Sequence, residues 1–466
     1  MNSPNGSLTL DAKNIWAAGV AAARADRLLI PCVDAQGDTL RIGNCQFSVP
    51  QVERIFIAGA GKAAFAMAIG FLSKTEEWCA EHAVKIDGQI HTPDFPTLTA
   101  DGQTADLARL KNPNLLKRIR LLSLRAKHAN FPNADTVNAS QRLSQQLSEL
   151  GEKDLCVALL SGGGSALLCQ PVKGTTLNDQ LTVIQVLSEN GADIQQMNTV
   201  RRCIDHVKSG GLAAVSRAQF NLALVLSDVI GDDMATIASG PTWFSPRPYR
   251  EALKIVEEFD SRHQIPKRVV DYLLDACQSP VSTITPPTIP HTCIGNVESG
   301  IAAAARHAQS LGYHVVKEIA SPPEWVPEKA HQLVKLLKAN DKQICVISGG
   351  EPSLKLASRK IRGRGGRNQQ LALAALKYWL ESGCSAQREF CFLSGGTDGE
   401  DGPNLAAGGC CDNRTANLIR QHNLNLAESL TRNDAGTLLE KTDSLLLSPP
   451  THTNICDIRV FIANAK

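Results

Sequence analysis

Short apolar runs rich in Val, Ile and Leu recur along the chain, and each leads through glycines into a stretch where Ala and Leu return at helical spacing. That alternation predicts strand-loop-helix units in a parallel sheet, whose strands are buried on both faces and so read as continuous apolar runs. The runs place strands over 54–58, 155–160, 222–226, 344–347 and 390–393. Three of them lead into the same tripeptide, Ser-Gly-Gly, at 161–163, 348–350 and 394–396. In open parallel sheets ligands bind beyond the carboxyl ends of the strands, so these glycine-rich ends mark the expected site. Farther along, 279–291 sets Pro280, Pro286, Pro287 and Pro290 among Ser and Thr, a composition that suits a connector. A boundary at Pro287 gives an N-terminal domain, 1–287, and a C-terminal domain, 288–466, with a cleft between them as the natural place for a ligand.

At 466 residues, 43% of them hydrophobic, the chain is long enough for two domains that each bury a core. Its formal charge is +2 and no long run of one sign occurs, which leaves no electrostatic footprint for nucleic acid or an anionic membrane. A small-molecule substrate is therefore expected. The 14 cysteines are scattered, without C-x-x-C pairs or His/Cys clusters, which argues against a zinc site or a secreted disulfide scaffold and suits a reducing compartment. The apolar stretch 17–23 runs into Arg24, Asp26 and Arg27 and reads as an amphipathic helix, not a membrane span. Up to that point the only acid is Asp11 and the only base is Lys13, so cytosol is the expected location and the mitochondrion the alternative. Oligomeric state is not readable from the sequence, and a homo-oligomer stays open.

Five motifs carry candidate chemistry. In the first, strand residues lead into Gly59-Ala60-Gly61-Lys62 and then a helix from Ala63 to about Leu72. Glycines at such a turn let backbone amides approach an anion, the helix start adds partial positive charge, and Lys62 adds a full one. The Walker spacing is absent, and Ala64 stands where a dinucleotide fingerprint has its third glycine. In the second, Ser161-Gly162-Gly163-Gly164-Ser165 separates an apolar strand from an apolar helix, and three consecutive glycines imply that something comes close to the backbone; triphosphate is the natural candidate. The third supplies carboxylates, Asp228, Asp232 and Asp233, followed by Ser239-Gly240-Pro241-Thr242. Acids at a strand end can hold Mg²⁺ or take a proton from an attacking hydroxyl, and Asp228, nearest the strand, is the preferred base.

The fourth, Gly363-Arg364-Gly365-Gly366-Arg367, opens a helix from Leu371 to about Trp379 and reads as an anion clamp, because guanidinium pairs in two-point fashion with phosphate or carboxylate. The fifth, Ser394-Gly395-Gly396-Thr397-Asp398-Gly399-Glu400-Asp401, is an acidic strand-end loop in which Asp398 and Asp401, with Asp232 elsewhere, are candidate metal ligands. Supporting residues are Asn198, Arg201, Arg202 and Lys208, expected on one helix ending at Gly210-Gly211, and the pairs Asn433-Asp434 and Thr453-Asn454.

Taken in order, GAGKAA at 59–64, LLSGGGSALL at 159–168, LSDVIGD at 226–232, ASGPT at 238–242, SGGEP at 348–352, GRGGRNQ at 363–369 and LSGGTDGEDGP at 393–403 resemble the two-domain glycerate 2-kinase family of bacteria and animals over nearly the whole length. The resemblance implies an α/β fold, with a Rossmann-like N-terminal domain, a smaller α/β C-terminal domain and the active site in the cleft between them. It also implies ATP-dependent phosphorylation of D-glycerate at its 2-hydroxyl with Mg²⁺. The family's lysine, aspartate and arginine fall on Lys62, Asp228 and the pair Arg364/Arg367. Nucleotide binding is expected at Gly59, Gly61, Ser161, Gly162, Gly163, Gly164 and Ser165, and substrate binding at Asn198, Arg201, Lys208 and His128.

The chain departs from the family pattern in three places. After His128 the expected acid is missing or displaced to Asp135; the C-terminal segment Ser448-Pro449-Pro450-Thr451-His452-Thr453-Asn454 lacks the family's two glycines; and Asn433-Asp434 is followed by Ala435 in place of Ser. If these residues touch substrate, preference shifts to a related hydroxy acid. Two rivals stand beside the kinase: an NAD(P)H-dependent hydroxypyruvate reductase, against which Ala64 counts, and a non-catalytic ligand sensor on the same fold.

Overall fold

The computed structural model describes residues 7–94, 107–124, 131–278, 288–319, 324–383, 388–402 and 406–465. His128 and the expected boundary at Pro287 fall outside the described residues. The chain gathers into two compact units, neither of them a continuous stretch: a parallel-sheet unit of 29–226 and 232–294, and a mixed-sheet unit of 1–28, 227–231 and 295–466. A single cut at 287 therefore does not match the packing of the N-terminal helix Leu8–Ala22, which belongs to the mixed-sheet unit.

The parallel-sheet unit is built on six strands, Ile119–Ser123, Lys85–Thr92, Arg54–Ala60, Asp154–Ser161, Phe220–Leu226 and His291–Gly295, in that spatial order. Counted along the chain within the sheet, the order is 3-2-1-4-5-6, and the ladders from Ile119–Ser123 across to Phe220–Leu226 are parallel. This is the doubly wound order in which consecutive connections leave the sheet in opposite directions between the first and fourth strands, opening a crevice at their carboxyl ends. Gly61-Lys62 and Gly162–Ser165 both lie there. The expected strands at 54–58, 155–160 and 222–226 are all present, one or two residues longer at their ends. The helix after Lys62 runs Ala64–Glu81, and its first nine residues are all buried, as an Ala-rich helix lying closely on a sheet should be.

Six strands also form the second sheet, but it is mixed: His314–Ile319, Ile344–Gly350, Asp457–Ala463, Phe390–Gly396, Gly408–Asp412 and Leu445–Leu446. Asp457–Ala463 runs antiparallel between Ile344–Gly350 and Phe390–Gly396. The register explains two of the recurring tripeptides. Ser348 and Ser394 both sit opposite Arg459, and Gly350 and Gly396 both sit opposite Asp457, so the two Ser-Gly-Gly ends flank one residue symmetrically. A Cβ at Gly396 would stand 2.6 Å from the Glu400 carbonyl, which is why the chain can turn there only with glycine. Arg459 is fully buried; it donates to Ser348 Oγ and Glu324 Oε2, both at 3.1 Å, while Lys329 bridges Glu318 and Glu324.

The helix Leu8–Ala22 packs on this sheet through Trp16, whose indole donates to the Gly395 carbonyl at 3.2 Å. Thr9 donates to Asp412 and Tyr313 donates to Asp11, each at 2.6 Å. Among the described residues no helix is long and apolar enough to cross a membrane.

Candidate active-site residues

In the parallel-sheet unit the two glycine turns interlock. Gly61 has φ +134, and a Cβ there would lie 2.2 Å from Ser161 Oγ and 2.5 Å from the Ser161 carbonyl. The Gly61 amide donates to the His91 carbonyl, the Lys62 amide to the Gly162 carbonyl at 2.9 Å, and the Ala63 amide to Ser161 Oγ at 3.0 Å. These three amides are thus committed inside the protein, and the one full charge of this turn is carried by the Lys62 side chain. Its stem runs alongside Gly163, where φ is +81 and a Cβ would approach Lys62 Cγ to 3.3 Å. Gly59 lies within the strand, its missing Cβ facing Ile90 at 3.0 Å, so it serves packing directly. The short helix Gly164–Leu167 follows, and Gly164 is pressed against Ala238.

Ser165 is the hub of the second turn. Its hydroxyl contacts Ser239 Oγ at 2.7 Å and accepts from Arg201 Nη2 at 3.1 Å, while Arg201 Nη1 donates to Asn198 Oδ1 at 3.0 Å. Asn198, Arg201, Ser165 and Lys208 are therefore brought together, although not on one helix: the helix Ile194–Cys203 ends before Lys208. The reason is local. A turn at 204–210 buries Asp205, whose Oδ1 accepts from the amides of Gln170 and Val207 at 3.2 and 3.1 Å. Lys208 is buried and donates to the carbonyls of Ser165 and Leu168 at 2.9 and 3.1 Å, with the Asp205 carboxylate 3.8 Å away. Burial lowers the pKa values of Arg201 and Lys208, and Asp205 opposes the shift in both. Facing them, Ala238, Ser239 and Gly240 are all left-handed, with φ of 51, 65 and 58°. Asp232, at φ 55, begins the stretch that leads to this turn.

In the mixed-sheet unit the acids and the arginine loop converge. Asp228 accepts from Asn454 Nδ2 at 3.0 Å through its carboxylate and from Cys456 Sγ at 2.7 Å through its carbonyl. Arg367, the first residue of helix Arg367–Glu381, grips Asp457 with Nε at 2.7 Å and Nη2 at 3.2 Å, and its Nη1 donates to Glu351. Burial works against the Arg367 charge, but Asp457 and Glu351 outweigh it, so the guanidinium is held more firmly protonated than usual. Asp401 caps the same helix from outside: Oδ1 accepts from the Asn368 amide at 3.1 Å and Oδ2 from the Gln369 amide at 2.9 Å. Burial raises its pKa to about 7 against those amides.

Both carboxylate oxygens of Asp401 are engaged in capping. Asp398 accepts from the Glu400 amide at 2.9 Å. Arg364 stands apart from this group, exposed and paired with Glu440 at 2.7 Å. Among the described residues no cluster of three or more His, Cys, Asp or Glu forms a ready-made metal cage. Mg²⁺ in phosphoryl transfer is ordinarily held by one or two carboxylates together with the substrate phosphates, so this donor set fits a metal that arrives with its nucleotide.

Asp457 and Glu351 were not singled out from the sequence. Glu351 stood in a recognised motif without a role. Asp457 is the polar first residue of the apolar strand Asp457–Ala463, which the sequence reading passed over. Ser239 and His91 were likewise missed, because their partners lie on other elements.

Comparison with known proteins adds to this geometry. The model of a domain of unknown function, DUF4147, matches residues 11–274, and that of the MOFRL family matches 344–457. The chain is 31% identical to human glycerate kinase over 492 aligned positions, covering 93% of this chain and 88% of that protein. It is 31% identical to the D-glycerate 2-kinase of Thermotoga maritima, covering 70% of this chain and 76% of that one. The crystal structure of a glycerate kinase from the same bacterium superposes with a TM-score of 0.73 at 27% identity, covering 98% of this chain and 99% of the other.

Proposed function

Since the chain belongs to the glycerate kinase family, we propose that it transfers the γ-phosphoryl group of ATP to the 2-hydroxyl of D-glycerate. The observation that carries the reading is the pair of glycine turns at the switch point of the parallel sheet, closed over the stem of Lys62. Phosphoryl transfer asks a protein mainly for positioning and for charge stabilisation, and a turn of this kind beside a lysine supplies both.

Lys62 is assigned to charge developing on the transferred group. The backbone at Gly162, Gly163, Gly164 and Ser165, with Gly59 and Gly61 shaping the turn beneath, is assigned to the phosphates. Arg201 and Asn198 are assigned to the acceptor acid, and Lys208 is a positioning residue that holds the Ser165 and Leu168 carbonyls. Asp228, whose carboxylate is oriented by Asn454, takes the acceptor's proton or orients its hydroxyl. Arg367 supplies the anion clamp, with Arg364 as an outer contact. Mg²⁺, when bound with the nucleotide, would supply charge neutralisation on the phosphates. Asp398 in one unit or Asp232 in the other is the candidate to hold it, and Asp401 is reassigned to helix capping.

Regiochemistry tests the proposal. With D-glycerate, ATP and Mg²⁺, followed by enolase and no phosphoglycerate mutase, immediate phosphoenolpyruvate formation is expected, because only the 2-phosphate is dehydrated directly. A product that enolase ignores until mutase is added overturns C2 transfer. Oxidation of NADH with hydroxypyruvate in place of ATP turnover would make the protein a reductase.

A further inference from the structure

The hydroxyl of Ser165 has three polar neighbours: Arg201 Nη2 at 3.1 Å, Lys208 Nζ at 3.4 Å and Ser239 Oγ at 2.7 Å. A hydroxyl has two acceptor positions and one proton, whereas guanidinium and ammonium can only donate. Lys208 acts as an ammonium here, since its three protons match three acceptors, the Ser165 carbonyl, the Leu168 carbonyl and Ser165 Oγ, with Asp205 as counter-charge. Both acceptor positions of Ser165 are then filled by the two cations, and its proton has one direction left, toward Ser239. Ser239 must accept that proton and keep its own. Among the described residues no acceptor is found for the proton that Ser239 keeps.

The backbone supports the same residue independently. Ala238, Ser239 and Gly240 are three consecutive left-handed residues, a conformation that L-residues with a Cβ rarely hold unless their surroundings fix it. The surroundings do so: the Ser239 carbonyl accepts from the Ser209 amide at 3.1 Å and the Gly240 carbonyl from the Gly210 amide at 2.7 Å. Ser239 is 7% exposed, and the Ser165 hydroxyl it contacts is itself held by the Arg201 guanidinium and the Lys208 ammonium. A lone donor in a positive, water-poor setting recognises an anionic oxygen.

We propose that Ser239 donates a hydrogen bond to an anionic oxygen of the bound ligand, the carboxylate of the acceptor or a phosphate of ATP, and thereby fixes its position; this rests on the kinase reading above. Ser165 is the positioning residue that sets the direction of that donor.

The test begins with the wild-type enzyme, whose turnover of D-glycerate and ATP judges the kinase reading by itself. Ser239→Ala removes the donor, and loss of a hydrogen bond to a charged group is worth about tenfold to a hundredfold in binding. If the carboxylate is the ligand, KM for D-glycerate rises by about that factor while KM for ATP stays within about twofold; a phosphate ligand gives the reverse. Either split supports the inference. A fall in kcat with both KM values unchanged, or equal rises in both, overturns it. Ser239→Gly is the second variant: glycine is at home at this φ, so the turn survives without the hydroxyl and must give the same split. Should wild type not turn over glycerate, calorimetric titration of D-glycerate and of ATP into wild type and both variants decides separately, and equal affinities in all three proteins sink the proposal.

Discussion

His91 is buried with both ring nitrogens in use. Nδ1 faces the Leu167 carbonyl at 2.8 Å and must carry the proton, which leaves Nε2 to accept from Gln89 Nε2 at 2.7 Å. Its own carbonyl holds the Gly61 amide, so a single residue touches both glycine turns. Burial lowers its pKa to about 4, against a weaker opposing pull from the Leu167 hydrogen bond. The folded state therefore binds fewer protons than the unfolded chain, where histidine titrates near 6.5; the contribution to stability is complete above that pH and is lost as pH falls toward 4, by about 3 kcal/mol. Urea unfolding of wild type and His91→Gln should differ most at pH 7 and converge by about that amount at pH 4. A difference that does not change with pH would refute the depressed titration of His91. Among the catalytic assignments, Lys62→Met should lower kcat about 10²- to 10³-fold in a folded protein. Asp228→Asn should lose rate at every Mg²⁺ concentration, whereas Asp398→Asn, if it is the metal ligand, recovers partly at high Mg²⁺; rescue of Asp228→Asn instead reverses the roles.

At the scale of elements, helix Arg367–Glu381 shows how a charge is held in an unfavourable place. An arginine in the first turn opposes the helix dipole, and the N-cap residue Gly366 has no side chain with which to satisfy the free amides. Asp401 supplies the missing cap from a separate loop, and Asp457 and Glu351 supply the counter-charge. Asp401→Ala should cost about 1 to 2 kcal/mol of stability, as the loss of a good cap does, and should also lower turnover, because the turn that carries Arg367 loosens. Arg367→Lys should be far more damaging than Arg364→Lys. Lysine cannot reproduce the two-point grip on Asp457, while the exposed Arg364–Glu440 pair is of the kind worth about 0 to 1 kcal/mol. Comparable kcat/KM for the two variants would contradict this.

Much of this element was legible in the sequence. A glycine loop with two arginines before an apolar helix read as an anion clamp, but it did not say that Asp457 and Glu351 hold Arg367, that Asp401 caps the helix or that Arg364 faces outward. Periodicity reports which face is apolar and is silent on which loop returns to a helix start. For the same reason Lys208 read as the end of a helix, although the buried Asp205 bends the chain away before it.

For the molecule as a whole, the strands that were readable are those with a continuous apolar run, among them Phe390–Gly396, which pairs antiparallel on both sides, whereas the parallel strands Lys85–Thr92 and Ile119–Ser123, interrupted by polar residues, were not read. Gly408–Asp412 is made of small residues and left no comparable trace, while Asp457–Ala463, with Ile458, Val460, Phe461 and Ile462, is an apolar strand that the reading passed over. The membership of Leu8–Ala22 in the mixed-sheet unit was also hidden, because an amphipathic helix does not name the surface it covers. Trp16 is 6% exposed there, and Trp16→Ala should cost about 3 to 5 kcal/mol, read as a lower urea midpoint for the mixed-sheet unit. An unchanged midpoint would mean that the helix contributes little to that unit.

That unit closes on itself late. Thr453 donates to the Ala23 carbonyl at 2.5 Å across 430 residues of chain, and Asp457–Ala463, laid between two strands already made, is its central strand. On a ribosome adding roughly 5 to 20 residues per second, the early helix is made on the order of 20 to 90 s before that last strand. During that interval both segments of the parallel-sheet unit, 29–226 and 232–294, are complete and can fold, while Ile344–Gly350 and Phe390–Gly396 emerge with open edges and nothing between them. A nascent chain halted before Asp457 would thus present two strands each with one open edge, the kind of feature by which chaperones and proteases recognise unfinished protein.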